Sequence, residues 1–136
     1  MTIPFSGELI KAILGRSPEF EVVGGAGDAD AGLELTRHLK PDQALLDLSL
    51  AGENNLDLVQ SMKKIQPGIR VLILSMHSKM DYIIKAFQAG AHGYLVKESA
   101  GEGLLKAMKS VGKGKYFIDE NISREVVQKI MNNPKK

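Results

Sequence analysis

The 136-residue chain contains no cysteine, which excludes both a disulfide framework and a thiolate metal site. It has no apolar run near the ~20 residues of a membrane-spanning helix. Its start, Met1-Thr2-Ile3-Pro4-Phe5, lacks the charged region and apolar stretch of a signal peptide. Excess charge is also scarce: 18 basic and 16 acidic side chains leave a net +2, too little to argue for a nucleic-acid surface. Lysines gather late (Lys106, Lys109, Lys113, Lys115, Lys129, Lys135, Lys136) and read as a solvated helical face and a loose tail. The remaining composition, 43% apolar and 25% charged, is that of a globular chain able to bury one core. A cytoplasmic protein without membrane contact is the expectation.

Apolar spacing then orders the chain. Leu9, Ile10, Ile13 and Leu14 share one helical face, so a first helix is predicted over about 6–15, ended by Ser17-Pro18. Phe20-Glu21-Val22-Val23 reads as a short strand. A second helix follows, with Asp28 or Asp30 as N-cap and Leu35 and Leu39 inward. Pro41-Asp42 breaks it before the strand that ends on Asp47. Further helices are predicted over about 55–65, 79–89 and 101–112. Met80, Ile83, Ile84 and Phe87 form the apolar stripe of the middle one, opposite Lys79, Asp81, Tyr82 and Lys85. Strands are predicted over 70–74 and 93–96, and Tyr116-Phe117-Ile118 as extended chain. An extra C-terminal helix runs from Ser123 to about Met131. Strands interleaved with helices imply an α/β fold, a parallel sheet with helices on both faces. One domain over 1–131 is expected, with 132–136 as a tail or the start of a linker.

Three strand ends carry polar groups: Asp47, Ser75 and Lys97. Their spacing is about one strand plus one crossover helix, so a parallel sheet brings them to the rim where open α/β folds do chemistry. One aspartate at a strand end is ordinary. A carboxylate, a hydroxyl and an ammonium together suit an aspartate that is phosphorylated and read out. Other candidates fit worse. Gly25-Ala26-Gly27-Asp28-Ala29-Asp30 imitates a dinucleotide fingerprint, but Asp30 stands at the third glycine and would repel pyrophosphate. His38, His77 and His92 share no metal-ligand spacing and read as surface or loop residues.

The segment Pro41-Asp42-Gln43-Ala44-Leu45-Leu46-Asp47-Leu48-Ser49-Leu50-Ala51-Gly52 resembles the phospho-acceptor strand and loop of bacterial response regulator receiver domains. Val71-Leu72-Ile73-Leu74-Ser75-Met76-His77 resembles their switch-hydroxyl strand. Ala89-Gly90-Ala91-His92-Gly93-Tyr94-Leu95-Val96-Lys97 resembles the segment with the switch aromatic and the lysine. The wording is most similar to the NarL/FixJ (LuxR-type) subfamily, over about residues 6–130. The resemblance implies a flavodoxin-like, CheY-like sheet in strand order 2-1-3-4-5. It also implies a signalling domain rather than an enzyme, served by a histidine kinase in a phosphorelay. Asp47 would be the phospho-acceptor, Ser75 and Lys97 would contact the phosphoryl group, and Tyr94 would be the switch residue. Ser49 matches the position whose backbone carbonyl helps Asp47 bind Mg²⁺. Relatives usually carry a helix-turn-helix domain that regulates transcription. This segment itself is expected to make no contact with DNA.

The chain departs from the family pattern in three places. Receivers open with a central strand ending in an acidic pair for Mg²⁺, and Met1 to Phe5 supply no acid. Ala51 and Asn55 replace a usual proline and glycine. The first strand is therefore expected to be missing. That leaves either direct pairing of the strand at 20–23 with that at 43–47, or an edge-paired or strand-exchanged dimer. Under direct pairing, Asp28 or Asp30 would stand in as a metal ligand. Two explanations compete: an N-terminally incomplete receiver, or a degenerate, non-phosphorylated interaction module.

Overall fold

The computed structural model describes residues 2–4, 29–47, 55–75, 80–96 and 100–119. Five parallel strands stand in the order β1 (Thr2–Pro4), β2 (Gln43–Asp47), β3 (Arg70–Ser75), β4 (Gly93–Val96) and β5 (Phe117–Ile118). Between them run α1 (Ala29–Leu39), α2 (Asn55–Ile65), α3 (Met80–Gln88) and α4 (Ala100–Gly112). The predicted helix at 6–15, the strand at 20–23 and the helix at 123–131 lie outside the described residues.

Each element follows from local sequence. In α1, Gly32 and Thr36 are buried one turn apart, and the Thr36 hydroxyl donates to the Gly32 carbonyl at 2.8 Å. Asp30 lies within its first turn, so it is not the N-cap; there its charge complements the helix dipole. Lys40 ends the helix at a left-handed φ of 46°, its N–H donating to the Thr36 carbonyl, and Pro41 forbids continuation. The strands β2 to β4 are short runs of leucine, isoleucine and valine, which suits strands covered on both faces.

Alternation along the strands divides the core into two layers. Ala44, Leu46, Val71, Ile73, Tyr94 and Val96 face one side, beneath Leu58, Val59 and Met62 of α2, Ile83 and Ala86 of α3, and the half-buried Leu33 and Leu35 of α1. Leu45, Leu72, Leu74 and Leu95 face the other, beneath Leu104, Ala107, Met108 and Val111 of α4. Helices therefore cover both faces, as predicted.

The edge of the sheet differs from expectation. The first strand is present as a three-residue stub, with Thr2 opposite Gln43, Ile3 opposite Ala44 and Pro4 opposite Leu45. Pro4 holds Ile3 extended and has no N–H to continue the ladder, which accounts for so short a strand. β1 and β3 flank residues 43–45 of β2 on both sides, so the expected direct pairing of that stretch with residues 20–23, which lie outside the described residues, has no free edge there. The gap that motivated an edge-paired or strand-exchanged dimer is filled to the same extent.

The apolar stripe of α3 is narrower than predicted. Ile83 is buried and Phe87 half-buried, but Ile84 is 47% exposed. Ile83, Ala86 and Phe87 already face the sheet at i, i+3 and i+4, and Ile84 is turned ~100° away from that line.

Candidate phosphoryl site

The parallel register assembles one rim. Asp47 lies opposite Leu74, and Ser75, the next residue of β3, lies opposite Val96. Asp47, Ser75 and Val96 thus mark the carboxyl ends of three adjacent strands, the side on which open α/β sheets bind ligands. The description covers the backbone of Asp47; Ser49, Asp28 and Lys97 lie outside the described residues, Lys97 directly after Val96.

At the centre of the rim Ser75 and Tyr94 are both wholly buried, on the same face of the sheet. Their hydroxyls are hydrogen-bonded to each other. Burial raises the Tyr94 phenol above its ordinary range, the Ser75 bond pulls it down, and nearby Tyr82 raises it. The aromatic expected to be the switch residue is turned inside.

The described residues bring no donor set for a Mg²⁺ ion to the rim. The edge strand β1, Thr2–Pro4, and the Phe5-Ser6 that follow it in sequence contain no carboxylate. Among the described residues no group of three or more His, Cys, Asp or Glu could hold a metal. Asp30, offered as a substitute ligand, is solvent-exposed in the first turn of α1, and the direct strand pairing that would have brought it to the rim is blocked by β1.

His92, expected to be a loop or surface residue, is a half-buried joint at the opposite end of β4. Its ring stacks on Tyr116 with centroids 5.6 Å apart, and its Nδ1 accepts a weak bond from the Val71 N–H at 3.4 Å. Burial, then Lys63 and Arg70, lower its pKa from the ordinary 6.5. Above pH 6.5 the ring is neutral in folded and unfolded chains alike. Below it the unfolded chain binds a proton that the folded one resists, so stability falls as pH drops. Urea midpoints are expected to fall between about pH 7.5 and 5.5, with part of the slope removed by His92→Gln. An identical pH slope in the variant would assign the loss to other groups.

Sequence reading missed Asp119. Its carboxylate is buried and accepts the Val96 N–H at 3.1 Å, while its own N–H donates to the Tyr94 carbonyl at 3.0 Å. Residue type gives no signal for it, since an acid after Tyr116-Phe117-Ile118 reads as the polar end of an extended run.

Comparison with known proteins agrees with this geometry. Residues 4–109 match the response regulator receiver domain family. The transcriptional regulatory protein DegU of Brevibacillus brevis is 31% identical over 121 residues, 89% of this chain and 51% of that protein. The nitrate/nitrite response regulator NarL of Escherichia coli is 31% identical over 114 residues, 84% of this chain and 53% of that protein. The chain thus spans about half the length of these relatives. A crystal structure of a LuxR-family two-component response regulator from an Aurantimonas species superposes with a TM-score of 0.86, at 26% identity and 96% coverage of each chain. With a parallel CheY-like sheet, a buried serine–tyrosine pair at its rim and relatives of this kind, the chain belongs to the response regulator receiver domain family, in its NarL/LuxR-type branch.

Proposed function

We propose that Asp47 accepts a phosphoryl group from a histidine kinase and that Ser75 and Tyr94 pass its presence to the α3 and β4 surface. The observation that carries this reading is the buried Ser75–Tyr94 hydrogen bond at the end of the strand next to Asp47. A hydroxyl can accept one bond while donating another. The bond that lowers the Tyr94 phenol has Ser75 as donor, so a phosphoryl oxygen would draw the Ser75 proton to itself and leave Tyr94 to donate back to the Ser75 oxygen. In the transfer a carboxylate oxygen of Asp47 attacks phosphorus, the P–N bond to the kinase histidine breaks, and the imidazole leaves with that electron pair. The Lys97 ammonium would pair with the added charge. Since Tyr94 is already inward, the phosphoryl group acts by holding a formed arrangement rather than creating it. Half-exposed Tyr82 and Ile84 on α3 are the apolar part of the surface that would meet a partner. In a longer parent protein that partner would be an effector domain controlling transcription, as the name of DegU suggests for that relative.

Incubation with acetyl phosphate, with and without Mg²⁺, tests the reading. The expected outcome is a mass gain of one phosphate that Asp47→Ala abolishes. Two observations favour the alternative, a receiver-like interaction module that works unphosphorylated: the inward Tyr94 and the acid-free end of β1. An unchanged mass under all these conditions, together with partner binding unaffected by Asp47→Ala, would establish that alternative.

A further inference from the structure

We infer that Asp119 is a positioning residue for the phosphoryl rim, a clamp that fastens the Tyr94–Val96 end of β4 to the end of β5. The inference rests on the phospho-acceptor reading above for its functional meaning, and on the β4–β5 ladder for its geometry.

The pairing of β5 with β4 has its register at Gly93–Phe117 and Tyr94–Ile118. Phe117 donates its N–H to the His92 carbonyl at 2.9 Å, and Asp119 donates its N–H to the Tyr94 carbonyl at 3.0 Å. In a continuing parallel ladder the next bond would run from the Val96 N–H to the main-chain carbonyl of Asp119. Here the Asp119 carboxylate takes that place, its Oδ2 accepting the Val96 N–H at 3.1 Å. One residue therefore closes the described ladder with its own side chain.

The placement of this closure gives it a role in the site. Its two bonds straddle Leu95, and they grip the residue that carries the switch phenol and the residue just before Lys97. On the inner side Tyr94 bonds Ser75, and Val96 lies opposite Ser75. The rim is thus held from within by Ser75 and from the sheet edge by Asp119. At 2% exposure little water competes with the Asp119 side chain for the Val96 N–H. Any group that steadies the rim must then tighten the Asp119 clamp, and the clamp must improve binding at the rim by the same factor. The end of β5 is in this way tied directly to the phosphoryl rim, without passing through α3.

Beryllofluoride, a phosphoryl mimic, provides the test on the full chain and on Asp119→Ala and Asp119→Asn. Asp119→Ala is expected to bind it about tenfold more weakly, with Asp119→Asn largely restored because its amide oxygen can still accept. In the unaltered chain, beryllofluoride is expected to slow amide exchange at Val96. Tyrosinate absorbance gives a readout independent of phosphorylation: in Asp119→Ala, Tyr94 should ionise at a lower pH, nearer the ordinary phenol value, and in Asp119→Asn it should not. A folded Asp119→Ala protein with unchanged beryllofluoride affinity and unchanged Tyr94 ionisation would overturn the inference. If Asp119→Ala does not fold, unaltered Val96 exchange on beryllofluoride binding would overturn it. Failure of the unaltered chain to bind beryllofluoride would instead remove the phospho-acceptor reading, and Tyr94 ionisation would then decide the clamp alone.

Discussion

Truncating Tyr94 to alanine is expected to cost the domain about 3–5 kcal/mol, the range for emptying a buried aromatic site. Tyr94 is the largest fully buried side chain among the described residues, packed with Leu46, Ile73 and Val96 on one face of the sheet. A domain of this kind has only about 5–15 kcal/mol of stability, so this variant should sit close to its unfolding midpoint in mild urea. Tyr94→Phe keeps the ring and removes the bond to Ser75, and should cost about 1 kcal/mol. Ser75→Ala should cost a similar amount, and the two together less than their sum, since either change alone strands the other hydroxyl. Urea unfolding of these four variants separates packing from hydrogen bonding. A phenylalanine variant as unstable as the alanine one would show that the hydroxyl pair, and not the ring, carries the energy.

The second large effect is a volume exchange across β3 and β4. Leu72 is fully buried in the layer under α4, and its Cδ1 lies 2.6 Å from where a Cβ on Gly93 would stand. Val111 Cγ2 and Phe117 Cβ close the same space at 3.0 and 3.5 Å. Gly93 is therefore small because Leu72 and its neighbours fill its side-chain position. Leu72→Ala should cost about 2–5 kcal/mol through the cavity it leaves. Gly93→Ala alone should cost about 1–3 kcal/mol through overpacking. In the Leu72→Ala background the added methyl enters the void, so Gly93→Ala should become neutral or stabilising, a coupling of at least about 1 kcal/mol. Strictly additive costs in unfolding experiments would mean that the two positions do not share that space.

Elements set by local chemistry were legible from the chain. The helix at 55–65 and the strand at 93–96 were predicted at the boundaries they have, and the strand ending on Asp47 was predicted correctly at that end. Each is a short apolar pattern bounded by proline, glycine or a charged residue, signals that act over a few neighbours. Parallel pairing of such runs brings the ends at Asp47, Ser75 and Val96 to one rim, because strand direction alone decides which ends meet. The stub Thr2–Pro4 was not legible: three residues, one of them proline, are too few to show alternation. Nor was the exposure of Ile84, since an apolar residue at the margin of a helical stripe is placed by its packing partners.

For this protein the sequence by itself determined the α/β alternation, the receiver family and the strand ends that make the rim. All of these depend on residue type and on spacing along the chain. Tertiary structure alone decided that β1 occupies the edge of β2, that Tyr94 is already turned toward Ser75, and that Asp119 closes the ladder beside Val96. Those contacts join residues distant in sequence. Each exists only because strand register brings a particular donor within about 3 Å of a particular acceptor, a distance that no local pattern encodes.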